Sequence, residues 1–139
     1  MAGNVKTKLV IDASFALAFI LPDEYNPEVN NYFNQFKAVT IQFISSPLLM
    51  FEVTNGLLLA LKRNHVNKKY CEERLEELSN YKIEIEKIDF TETFSLAQKH
   101  NLTCYDASYL YLAQSQNLPL LTLDKHLIPF SSSLIKTVN

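Results

Sequence analysis

Four acidic residues stand where acids are conspicuous. Asp12 ends the apolar run Leu9-Val10-Ile11, with Ser14 two positions later, and Asp124 ends a second run, Leu120-Leu121-Thr122-Leu123. Short apolar runs suit strands buried on both faces of a parallel sheet, and such sheets gather chemistry outside the carboxyl ends of their strands. If the two strands are parallel neighbours, Asp12 and Asp124 emerge on one edge with backbones about 5 Å apart. Carboxylates that close repel each other unless a proton or a cation lies between them. Glu52 sits in the apolar stretch Leu48–Leu61, where an unpaired charge is costly. Asn55, three residues on, shares its helix face and would support it by hydrogen bonding.

Each acid also has a bland reading. Turns favour Asp at 12 and 124, and Glu52 can snorkel or pair with a lysine. Ser14 reads as a helix cap, although the same hydroxyl can also hold water on a metal. Asp106 lies in Thr103-Cys104-Tyr105-Asp106, which reads locally as a capping box with Asp in the acid's place. His65, His100 and His126 form no i,i+4 pair, so zinc is not indicated. Clustered carboxylates without His or Cys suit a hard cation, Mg²⁺ or Mn²⁺.

The elements that must position these residues alternate between strand and helix. Strands are expected at Leu9–Asp12, Ile41–Ser45, Ile83–Ile88, Leu120–Leu123 and Leu134–Val138. Helices are expected from about Phe15 to Leu21, from Asn26-Pro27-Glu28 to Phe36, from Ser46-Pro47 to Arg63, from Lys68 to Tyr81, from Asp89 to His100 and from Tyr105 to Gln116. A frayed start is expected over 1–7 and a short turn near Lys125–Ile128. Alternation of this kind gives an α/β fold with a largely parallel sheet, and 139 residues suit one domain, 1–139.

Composition narrows the function. Net charge is −2, so a nucleic-acid partner needs a local basic patch. Lys62, Arg63, Lys68 and Lys69 form one such cluster, at a helix end and turn, with a solvated surface as its alternative. With 2 glycines the chain has no glycine-rich phosphate loop. Cys71 and Cys104 lack CxxC spacing and read as buried or half-buried free thiols in a reducing cytosol. Lys6 and Lys8 ahead of Ala16-Leu17-Ala18 superficially suggest a signal peptide, but Asp12 interrupts its apolar core. No apolar run reaches the roughly 18 residues of a membrane span. A phosphoacceptor domain would want adjacent acids at the first strand's end, where Ile11 and Ala13 stand instead. An Asp-x-Asp phosphatase fails because position 14 is Ser.

The segments Val-Ile-Asp-Ala-Ser, Ser-Pro-Leu-Leu-Met-Phe-Glu-Val-Thr-Asn, Leu-Thr-Cys-Tyr-Asp-Ala-Ser-Tyr-Leu-Tyr-Leu-Ala and Pro-Leu-Leu-Thr-Leu-Asp, in that order, resemble the PIN-domain family. The likeness is greatest to its small VapC-type toxins and extends over essentially the whole chain. It implies a three-layer α/β/α sandwich and metal-dependent endoribonuclease activity leaving 5′-phosphate and 3′-hydroxyl ends. It matches Asp12, Glu52, Asp106 and Asp124 to the family's acidic quartet, with Ser14, Asn55 and Thr122 as supporting polar residues. Asp106 thereby becomes a site residue as well as a cap. Asp12, Asp106 and Asp124 are the expected Mg²⁺ or Mn²⁺ ligands, and Glu52 is expected to position water or bind a second ion. The resemblance also implies a homodimer, an antitoxin partner and a cytoplasmic location. A stand-alone RNA-processing nuclease and a non-catalytic PIN-like module are the alternatives. Basic residues near the motifs are few, unlike what RNA affinity would favour. Tyr105, Tyr109 and Tyr111 read as helix packing, with stacking on a base as the alternative.

Overall fold

The computed structural model describes residues 6–131. The expected strand Leu134–Val138 lies outside the described residues. Four strands run parallel in the order β3-β2-β1-β4. They are β1 (Thr7–Ile11), β2 (Ile41–Ser45), β3 (Glu84–Ile85) and β4 (Leu120–Leu121), and the helices are α1 (Ala13–Ile20), α2 (Pro27–Lys37), α3 (Leu49–Lys62), α4 (Lys68–Ser79), α5 (Phe90–His100) and α6 (Cys104–Ser115).

Period-two alternation in β1 divides the core between two faces. Leu9 and Ile11 join Phe15, Phe33, Phe43 and Leu57 under α1, α2 and α3. Val10 points the other way, into Ile44, Tyr109, Leu110 and Leu120, with Leu96 of α5 packed alongside. The result is the expected three-layer sandwich. Its first face is aromatic: Phe33 stacks on Phe19 at 4.0 Å between centroids and meets the Tyr81 ring edge-on at 5.0 Å.

Two strands are shorter than their sequence suggests. Pairing stops at Leu121 and resumes nowhere in 122–124, because Thr122 turns its hydroxyl on Asp12 instead of continuing the ladder. At the sheet's edge only Glu84 and Ile85 of Ile83–Ile88 pair with β2. The first helix is capped by Asp12 rather than Ser14, since the carboxylate accepts from Phe15 N at 3.0 Å and so starts the helix two residues early. The helix expected from Ser46-Pro47 begins at Leu49, after a turn in which Ser46 Oγ accepts from Leu48 N at 3.1 Å. Cys104 is exposed, unlike buried Cys71.

α1 and α3 pack closely at one point. A Cβ on Gly56 would lie 2.7 Å from a Leu17 methyl, so the absence of a side chain there lets the two helices meet.

Candidate active site

Asp12 leaves the carboxyl end of β1 almost completely buried, at 2% exposure. Its Oδ1 accepts from Ser14 Oγ at 2.7 Å and from Phe15 N at 3.0 Å, and its Oδ2 accepts from the Thr122 hydroxyl. Burial raises its carboxyl to about 6. The hydrogen bonds from Thr122, Ser14 and Phe15 oppose that rise, and the Asp124 charge adds to it.

The same hydroxyls tie β1 to the segment after β4. Ser14 Oγ accepts from Leu123 N at 2.8 Å, and Thr122 Oγ1 accepts from Asp124 N at 3.0 Å. Asp12 therefore faces Thr122 directly, and Asp124 lies two residues further out. Asp124 is half-buried and accepts from His126 N at 2.8 Å, with His126 Nδ1 3.2 Å from the same oxygen.

Asp106 sits in the first turn of α6, where Thr103 Oγ1 accepts from its backbone N at 3.0 Å. The cap read from the sequence is present, and the carboxylate remains available. Burial raises its pKa first, then the charges of Asp124 and Glu52, against the pull of His126. One oxygen each from Asp106 and Asp124 and a ring nitrogen of His126 lie within 4.8 Å of one another.

Glu52 occupies the first turn of α3, and Tyr109 Oη donates to its Oε1 at 2.5 Å. Tyr109 is 1% exposed. Burial and the nearby Glu52 charge drive its phenol pKa upward, with Asp12 and Asp106 contributing, so it remains a fixed donor. Ser108 Oγ donates to Ser46 Oγ at 2.8 Å, joining the helix of Asp106 to the turn that precedes the helix of Glu52.

Pairwise electrostatic contact thus links Asp12 to Asp124, Asp124 to Asp106 and Asp106 to Glu52. Among the described residues none of them has a Lys or Arg within salt-bridge distance. Carboxylates gathered with no Lys or Arg counter-ion among the described residues, offering oxygen donors and one imidazole, fit a divalent cation of the Mg²⁺–Mn²⁺ kind.

Other expected residues fall differently. Asn55 is exposed and does not support Glu52; it lines a shallow cavity of about 220 Å³ with Glu52, Phe51 and Tyr105. Lys62, Arg63, Lys68 and Lys69 are exposed at the far end of α3. Lys62 lies ten residues past Glu52, about 15 Å along the helix, so this cluster does not join the acids. Tyr109 and His126 are the site residues that sequence reasoning missed. Tyr109 stands one turn after Asp106 minus one residue, and its face could be read only once α3 was placed. His126 carried a local signal, two residues after Asp124.

A family model described as the PIN domain matches residues 9–130. A protein named Ribonuclease VapC3, from Pyrobaculum aerophilum, is 32% identical over 124 residues, spanning 86% of this chain and 92% of that protein. Exonuclease VapC9 of the same organism is 33% identical over 82 residues, 58% of this chain and 61% of that one. Among solved structures, PAE2754 from Pyrobaculum aerophilum superposes with a TM-score of 0.74 at 22% identity, covering 94% of this chain and 85% of its own. A toxin-antitoxin complex from Klebsiella pneumoniae gives a TM-score of 0.61 at 22% identity, with 91% and 97% covered. At that identity the two structures speak for the fold.

Proposed function

The chain belongs to the PIN-domain family, and from that footing we propose that it is a divalent-metal-dependent endoribonuclease, the toxin of a toxin–antitoxin pair. The observation that carries this reading is the gathering of Asp12, Glu52, Asp106 and Asp124 with no Lys or Arg paired to them among the described residues.

Asp12, Asp106 and Asp124 are the ligand set we assign, with Mg²⁺ or Mn²⁺ as the ion. When bound, such an ion supplies an activated water and offsets charge developing on the phosphate. The protein's own part is positioning. Thr122, Ser14 and Phe15 N fix both oxygens of Asp12. Tyr109 occupies Oε1 of Glu52, which leaves Oε2 to orient a water or take its proton. Phe51 and Tyr105, 79% and 62% exposed beside Glu52, offer faces on which RNA bases can stack. Of the three tyrosines of α6, only Tyr105 is exposed enough for that.

The unit we assign to this activity is the single domain, 1–139. Met50, Leu58 and Leu59 expose apolar side chains on α3. We assign them to a homodimer in the first half of the chain, and sedimentation as a monomer at micromolar concentration would count against that. An antitoxin and a cytoplasmic location belong to the same proposal. Among the described residues no helix is long and apolar enough to cross a membrane. The deciding experiment is cleavage of single-stranded RNA by wild type and Asp12→Asn, each with and without EDTA. Activity confined to wild type without chelator is expected; cleavage surviving both treatments overturns the proposal.

A further inference from the structure

The opposite edge of the sheet carries a second feature. A cavity of about 350 Å³ opens where β1, β2 and β3 begin, lined by Lys6, Lys37 and Lys82 around an apolar floor that includes Phe36 and Tyr81. The three lysines come from segments far apart in sequence: before β1, the last turn of α2, and the turn ahead of β3. Among the described residues no acid lines the cavity, although the chain as a whole has a net charge of −2. Lys37 Nζ stands 5.8 Å from the centroid of the Tyr81 ring. The Tyr81 hydroxyl is buried with no hydrogen-bond partner, one of two such side-chain atoms among the described residues. Val39 and Lys82, both lining this cavity, adopt positive φ of 62° and 49°.

We propose that this cavity binds a nucleoside phosphate, with the phosphate held by Lys6, Lys37 and Lys82 and the base lying on the apolar floor. Ammonium groups are the natural partners of phosphate, and the volume lies within the range of small-ligand sites. A free mononucleotide and one residue of an RNA strand present the same chemistry. Lys6 and Asp12 are six strand residues apart, about 20 Å, so an RNA strand held here would be bound remote from the acids. The site gives the chain a second local basic patch beside the Lys62–Lys69 cluster, and neither reaches the acids. RNA as the ligand rests on the nuclease reading; binding of a nucleoside phosphate does not.

The test uses the full chain in EDTA, so that binding is read without cleavage. Wild type and the triple variant Lys6→Gln/Lys37→Gln/Lys82→Asn are titrated with a labelled single-stranded RNA, with AMP and with inorganic phosphate. Asn suits the positive φ at 82. The lysine side chains are exposed, and a thermal melt checks that the variant is folded. Loss of at least tenfold in RNA affinity, with the log–log salt slope reduced by about 0.7 for the one phosphate held, assigns the site to an RNA strand. AMP binding that the variant loses, competed by inorganic phosphate and without RNA binding, assigns it to a free nucleotide. If wild type binds neither, or a folded variant binds both with unchanged affinity and slope, the proposal is wrong. Lysine-dependent binding in a protein that never cleaves sinks the nuclease reading and leaves this one standing.

Discussion

The two sides of the acidic cleft are built in opposite ways. Asp12 is sealed in protein, with three donors on its two oxygens, and it caps a helix while locking two strands together. Asp106 and Asp124 are half-buried, open to each other and to His126. On the closed side one carboxylate serves both fold and site, so its removal should register in both. On the open side the charges are available to a ligand and little else depends on them. The difference shows why a site can hold like charges together: one is fixed by the fold, and the others gather around it where solvent still screens them.

The strongest test of that contrast is cleavage itself. Asp12→Asn and Asp106→Asn should each lower the RNA cleavage rate by more than the roughly 100-fold typical of an outer-shell loss. If Asp106→Asn kept its rate, the open side would not be part of the site.

Stability should separate the two sides where activity does not. Asp12 titrates at about 6 in the folded chain, against 3.8 ordinarily. The native state holds the extra proton between those values, so the contribution of Asp12 to metal-free stability is full below about pH 4 and is lost as pH rises through 6, about 3 kcal/mol in all. Asp12→Asn should abolish that slope and leave the metal-free protein more stable than wild type at pH 7. Asp106→Asn should gain less, because its raised carboxyl is only half-buried. Urea melts from pH 4 to 7 in EDTA measure both, and equal gains would erase the contrast.

Thr122→Val keeps the shape but removes the donor to Asp12 Oδ2 and the acceptor for Asp124 N. Calorimetric Mn²⁺ affinity should drop about 10–100-fold. Tyr109→Phe frees Glu52 without touching the three proposed ligands, so the cleavage rate should fall about tenfold, as loss of a hydrogen bond to a charged group allows, while Mn²⁺ affinity holds. Smallest of all, His126→Ala should weaken Mn²⁺ binding a few-fold and Mg²⁺ binding less, since imidazole suits the softer ion.

Much of this was legible in the chain before folding. Strand ends marked by Asp12 and Asp124 are visible because fully buried strands are continuous apolar runs, and a carboxylate interrupts them. Glu52 is visible for the same reason on a helix. What stayed hidden depends on partners distant in sequence. Tyr109 resembles any core aromatic until α3 lies beside α6, and Lys6, Lys37 and Lys82 are ordinary surface lysines until three strands begin at one edge. Ser14 is the expected cap because hydroxyls commonly serve so; Asp12 caps instead, two residues earlier, because its carboxylate accepts from Phe15 N and gains from the dipole. Both short strands end early for tertiary reasons that alternation alone does not carry.

The bare α-carbon of Gly56 has a mechanical meaning. It lies one turn beyond Glu52, and Leu17, which fills the vacated space, lies one turn into α1 beyond the Asp12 cap. The contact is a spacer between α1 and α3, and its thickness sets how closely the helix that Asp12 caps approaches the helix that carries Glu52. Leu17's methyls can give way, so a methyl added at 56 is absorbed with modest loss of stability. Whatever the packing does not absorb shifts Glu52 relative to Asp12, and the cleavage rate records it before the melting temperature does.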